Sequence, residues 1–157
     1  MHIQKIIVGL LTLSLSCISN SPVLATEVSS KEKCISETKE VAQKLIENRN
    51  VKLRFDVRDI SKYEEDYPYN RPLAFDFAFE GQATGDIMNS PQFLKIATTR
   101  IIRNCSNVAQ VNFGQYQTDW SITVGLMHDG NIRRFKCFDP SELTVSSKLK
   151  WGETICL

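Results

Sequence analysis

The 157-residue sequence predicts an α+β fold: an antiparallel sheet of about five strands with two helices packed on one face, stabilised by disulfides. Three observations carry that expectation. Apolar residues recur at helical spacing in residues 35–46 and 93–105, and at every second position in most of the intervening and following stretches. Turn-forming residues, above all Asp129-Gly130, separate the alternating stretches. Once an N-terminal processing segment is set aside, the cysteines that remain are Cys34, Cys105, Cys137 and Cys156, an even set that reads as two disulfides in an exported chain.

Residues 1–25 have the plan of a secretory signal. Lys5 provides the positive start, residues 6–15 the apolar stretch, and Val23-Leu24-Ala25 the small-residue cleavage pattern. The apolar run is too short for a spanning helix, which needs about 20 apolar residues. Cys17 follows Ser14-Leu15-Ser16 rather than the aliphatic pattern of a lipidation site, so it reads as an ordinary signal residue. Removal of 25 residues leaves 132 (157 minus 25), one domain over 26–157 with a single core. The segment takes one lysine, so the remaining 18 basic and 18 acidic residues cancel. Neutrality argues against nucleic acid as a partner, which would want a clustered basic face, and leaves a local basic patch open. The expected address is secreted or periplasmic.

The predicted order is helix, strand, strand, helix, strand, strand, strand. Ser29-Ser30 caps a helix to about residue 47, with Ile35, Thr38, Val41, Ala42, Leu45 and Ile46 on one stripe. Asn48 and Asn50 are its stop signals. Val51, Leu53, Phe55 and Val57 then alternate with charged residues as a half-buried strand. Residues 61–72 break both periods with two prolines and form a long loop. Leu73, Phe75, Phe77 and Phe79 make the second strand, and residues 81–89 a turn or loop. Ser90-Pro91 opens the second helix, which buries Phe93, Leu94, Ala97, Ile101 and Cys105.

Residues 108–114 form the third strand, with Ala109, Val111 and Phe113 inward, and residues 119–127 and 131–138 a hairpin about Asp129-Gly130. A two-residue turn there sets Val124 opposite Phe135 and Ile122 opposite Cys137, with Trp120 extending the buried row. Ser121, Thr123, Arg134 and Lys136 then line the outer face. The tail, residues 149–157, packs back as an edge strand carrying Trp151.

In such a meander Cys105 and Cys137 lie at opposite ends of the sheet, roughly 20 Å apart and beyond disulfide reach. Antiparallel helices bring Cys34 to Cys105, so Cys34–Cys105 with Cys137–Cys156 is the preferred pairing. Cys34–Cys137 with Cys105–Cys156 is the alternative.

No recognisable catalytic motif is present. There is no GxSxG, phosphate loop, HExxH or EF-hand loop, and no cysteine pair has metal-ligand spacing, so neither a cofactor nor a metal is expected. His128 reads as a solvent-facing turn residue, Trp120 as core, and Glu64-Glu65-Asp66 as surface charge. Converged carboxylates of a small hydrolase or lyase remain open, because sequence does not show spatial convergence. The loop 63–72 is the candidate recognition site. Tyr63, Tyr67 and Tyr69 offer large contact area at low entropy cost, and Arg71 a planar fork for carboxylates. The competing reading is that the loop only covers the open sheet edge.

YPYNRP (67–72), DIMNSPQF (86–93), TDW (118–120), GLMHDG (125–130), FKC (135–137) and WGETICL (151–157) together resemble a group of small exported, cysteine-containing cyanobacterial proteins. The resemblance spans residues 50–157. It implies a cyanobacterial origin and a periplasmic or extracellular address, and no activity or functional residues come with it. The sequence therefore points to a non-enzymatic domain binding a protein, peptide or envelope component, with an inhibitor-like or ligand-carrier domain as a further alternative.

Overall fold

The computed structural model describes residues 22–62, 64, 66–138, 141 and 149–155, with side chains from residue 29 onward. Helix α1 (Pro22–Ile46) leads into β1 (Val51–Asp59) and β2 (Leu73–Gly81). A short α2 (Thr84–Met88) and then α3 (Pro91–Asn104) precede β3 (Val108–Gln115) and β4 (Ser121–Leu126). The chain ends in β5 (Ile132–Arg134), β6 (Lys136–Phe138) and β7 (Glu153–Ile155). The fold is α+β, with a five-stranded sheet in the order β1-β2-β3-β4-β5 and a separate two-stranded sheet of β6 and β7.

The alternating apolar residues do form the buried face. Phe77, Phe79, Val111, Phe113 and Val124 are each no more than 2 % exposed and meet Val41 and Leu45 of α1 and Leu94 and Ile101 of α3. The Phe77, Phe79 and Phe113 rings stack at centroid distances of 5.8 and 6.5 Å. Cys34 and Cys105 are bonded, with Cα atoms 4.7 Å apart, and this clamp ties α1 to the end of α3. Next to it Arg100 of α3 pairs with Glu37 and Glu40 of α1. Cys137 is also disulfide-bonded. Its expected partner, Cys156, lies outside the described residues, as do Pro140 and the signal segment up to residue 21.

Several boundaries and pairings differ from expectation. The sheet is mixed rather than wholly antiparallel, because β2 and β3 run parallel. The α2–α3 crossover carries the chain back to the end where β2 began, which is what a parallel neighbour requires. No breaker separates residues 22 and 30, and α1 runs through Ser29-Ser30 without a start there. At its other end Asn48 has φ of 57°, the left-handed stop that asparagine tolerates. The Ser90 hydroxyl donates to the Asp86 carbonyl at 2.6 Å instead of capping α3.

The hairpin turn has three residues, not two. Gly130 N–H donates to the Met127 carbonyl and Met127 N–H to the Asn131 carbonyl, while Gly130 alone takes a positive φ of 79°. This is a type I turn closed by a left-handed glycine, and it shifts the register by one residue. Val124 therefore faces Arg134, and every side chain of β5 changes face. Phe135 moves to the side away from the helices, where a Cβ on Gly125 would sit only 2.6 Å from its ring. The Trp151 ring packs edge-on against Phe135 at 5.1 Å, and Trp151 Nε1 donates to the Leu126 carbonyl. The returning tail thus pairs as β7 with β6 rather than with the main sheet. Trp120, expected in the core, precedes β4 in a turn and is 38 % exposed.

Candidate functional site

The loop 66–72 and the β4–β5 turn close on one another. Tyr69 Oη donates to the His128 carbonyl at 3.0 Å, and His128 Nε2 lies 3.4 Å from Asp66 Oδ1, a contact that becomes an ion pair when the imidazole is protonated. Tyr69 and Asn70 both have left-handed backbone, with φ of 55° and 53°. Asparagine accepts this conformation readily, whereas tyrosine is held in it by its surroundings, here by the hydroxyl anchored on the turn. The Tyr69 ring stays 61 % exposed.

Arg71 is placed differently. Its Nη1 donates to the carbonyls of Ile102, Cys105 and Val108 at 2.8, 3.3 and 3.3 Å, so it ties the last turn of α3 and its cap to the start of β3. Burial pushes the guanidinium below its ordinary pKa, with Tyr69 opposing the shift. It remains a cation at neutral pH. With one nitrogen fixed on the helix end, Arg71 lines a cleft of about 520 Å3 between α3 and the hairpin.

Ten residues line this cleft, of which Arg71, Lys95, Arg103 and Arg133 are basic and none is acidic. Lys95, Thr99 and Arg103 stand one turn apart on α3, so they form one row along the helix. Arg133 enters from β5, where Asp129 holds it through Oδ2 at 2.5 Å. Hydrogen bonds from Asn131 keep the Asp129 carboxyl below the usual carboxylate range. A smaller hollow of about 160 Å3 shares Lys95 and continues over Leu94, Ile122, Val124 and Arg134. The groove thus joins a cationic part to an apolar part.

Of the expected site residues, the structure brings Tyr69 and Arg71 to this cleft and its rim. Tyr67 turns away and packs, half-buried, on Ile60, Ala74 and Ala109, so it covers the face of the central strands rather than the open sheet edge. Tyr63 lies outside the described residues. Lys95 and Arg103 belong to no motif, so the sequence by itself does not mark them as a site. Their spacing of eight, two helical turns along one face, is the available signal. Arg134 was assigned to the outer face by the two-residue turn, and the register shift brings it beside Val124.

On the opposite face a polar row crosses the three central strands. Asp76 accepts from Arg58 Nε and Nη2, both at 3.0 Å, and from Asn112 Nδ2 at 2.5 Å. Thr123 Oγ1 donates to Asn112 Oδ1 at 2.6 Å. Asp56 stands directly opposite Asp76 in the register. Both Asp76 oxygens are committed to a cation and an amide, the arrangement of a structural ion pair rather than of an acid and base awaiting substrate.

The fold and the cleft together define a disulfide-clamped α+β domain with a cation-lined groove at one end of its helix layer. No protein-family model, curated protein or solved structure matches the chain. Among the described residues no helix is long and apolar enough to cross a membrane.

Proposed function

We propose that this is an exported, non-enzymatic binding domain of the periplasm or cell exterior, and that the groove between α3 and the β4–β5 hairpin holds an acidic segment of a peptide or protein. The observation that carries this is the convergence of four basic residues from three regions on one cleft that no acid lines. A lining of one sign focuses potential and favours anions. The adjoining apolar hollow suits a side chain next to the acidic group, and Tyr69 at the rim supplies aromatic contact at little entropy cost. The disulfide clamp agrees with an oxidising compartment.

The test is an amide-resolved NMR titration with a short Glu-rich peptide carrying one leucine, and separately with inorganic phosphate and anionic lipid vesicles. Shifts confined to residues 95–103 and 128–134 with the peptide support the reading. Lys95→Ala with Arg103→Ala should weaken binding by about tenfold or more without lowering the melting temperature, since two exposed charges are lost. Shifts scattered over the whole surface would sink the proposal, and vesicle binding alone would move the partner to an envelope lipid.

A further inference from the structure

The other edge of the sheet carries a separate message. β1 has no strand on its outer side among the described residues. Ile60 N–H donates inward to the Pro72 carbonyl, and amide direction alternates along a strand. Val51, Leu53, Phe55, Val57 and Asp59 therefore turn their N–H and C=O groups outward. Consistent with that, Val57 N–H finds only the carboxylate of its neighbour Asp56. Open edges are ordinarily blunted by proline, a bulge, brevity, a covering element or charged side chains, and of these β1 has only the charges, Lys52, Arg54, Asp56 and Arg58, which are of both signs. β1 has no proline and pairs with β2 over nine residues without a register shift. Phe55 and Val57, on the helix side of the sheet, are each 46 % exposed.

We propose that β1 pairs antiparallel with β1 of a second copy about a two-fold axis at Phe55, joining two five-stranded sheets into one. In this register the outward amides of Phe55 meet those of Phe55 in the second copy, and Leu53 faces Val57, so the exposed apolar row covers itself. Arg54 falls opposite Asp56 on the other face, twice by symmetry. Sliding by two residues either way sets Arg54 against Arg54 or Asp56 against Asp56, like charges that oppose pairing. Lys52 opposite Arg58, also twice by symmetry, is the one unfavourable kind of pair; the Arg58 charge is already bound by Asp76, as that of Arg54 is by Glu80. An isologous contact of this kind closes at two copies.

Sedimentation velocity on the full chain tests it. The unsubstituted protein should dimerise. Val57→Pro removes an outward donor while sparing the ladder to β2, and should weaken the dimer by about tenfold or more. Asp56→Arg alone and Arg54→Asp alone should each be monomeric, because each faces like charge across the axis. An equimolar mixture of the two should dimerise again, since every substituted site then meets its opposite. A monomer at every concentration, as occupation of the edge by residues 1–21 would give, overturns the proposal. So does a dimer indifferent to Val57→Pro, or a mixture that stays monomeric. Thermal melts of each variant separate loss of pairing from loss of folding, and the mixture decides the matter if Val57→Pro does not fold.

Discussion

The two faces of the main sheet are both closed at the centre, but by different means. Under the helices, large apolar side chains interlock, and Phe77, Phe79 and Phe113 are at most 1 % exposed. On the far face the sheet offers small residues, Ala74, Ala109 and Gly125, and onto these the chain returns with Tyr67, Trp151 and Phe135. The rest of that face is a hydrogen-bonded polar row, with Thr123 8 % exposed and Asn112 half-buried. Alternation in a strand tells which residues share a side. It does not tell whether the polar side is left to water.

The largest expected effect belongs to the helix face. Phe113→Ala should cost about 3–5 kcal/mol in urea denaturation, because the stacked rings on either side cannot collapse fully into the space. Replacing both Cys34 and Cys105 with alanine frees a separation of 71 residues and should cost about 4 kcal/mol, read the same way under oxidising conditions. On the far face, Gly125→Ala drives a methyl into Phe135 and should cost about 1–3 kcal/mol. A cost equal to that of Phe113→Ala would erase the contrast between the faces. Asp76→Ala leaves Arg58 and Asn112 without their shared acceptor and should cost about 1–3 kcal/mol, while Thr123→Val, which removes a single donor, should cost about 1 kcal/mol.

The smallest effect concerns the exposed turn. The Asp129 carboxyl is held below its ordinary pKa by Asn131, so its contribution is present above the usual carboxylate range and is lost as pH falls through its folded value. Carboxyl NMR titration should give a midpoint below that of a free aspartate, and Asn131→Pro, which deletes the donating amide, should raise it.

Helix stripes, strand alternation and the Cys34–Cys105 bond were legible because each rests on a short-range pattern or on a simple reach argument. What was not legible depended on one residue of turn length or on long-range return. The identical dipeptide Asp129-Gly130 serves a two-residue or a three-residue turn, and only the second brings Arg134 to the helix side. The parallel β2–β3 pairing left no local mark, because nothing in either strand states the direction of its neighbour. Of the loop residues, Arg71 lines the cleft and Tyr69 stands at its rim, whereas Tyr67 packs on the sheet. The cleft itself needed α3 and β5 to be brought together first.

The parallel junction between β2 and β3 also bears on how the chain reaches this structure. β1 with β2 and β3 with β4 are each neighbours in sequence, joined through residues 60–72 and 116–120, while the junction between them must wait until the 26 residues from 82 to 107 have been gathered into the crossover. Contacts between distant positions carry the slower kinetics. On that argument the two strand pairs are expected to form first and the folding rate to be set by the central seam that joins them.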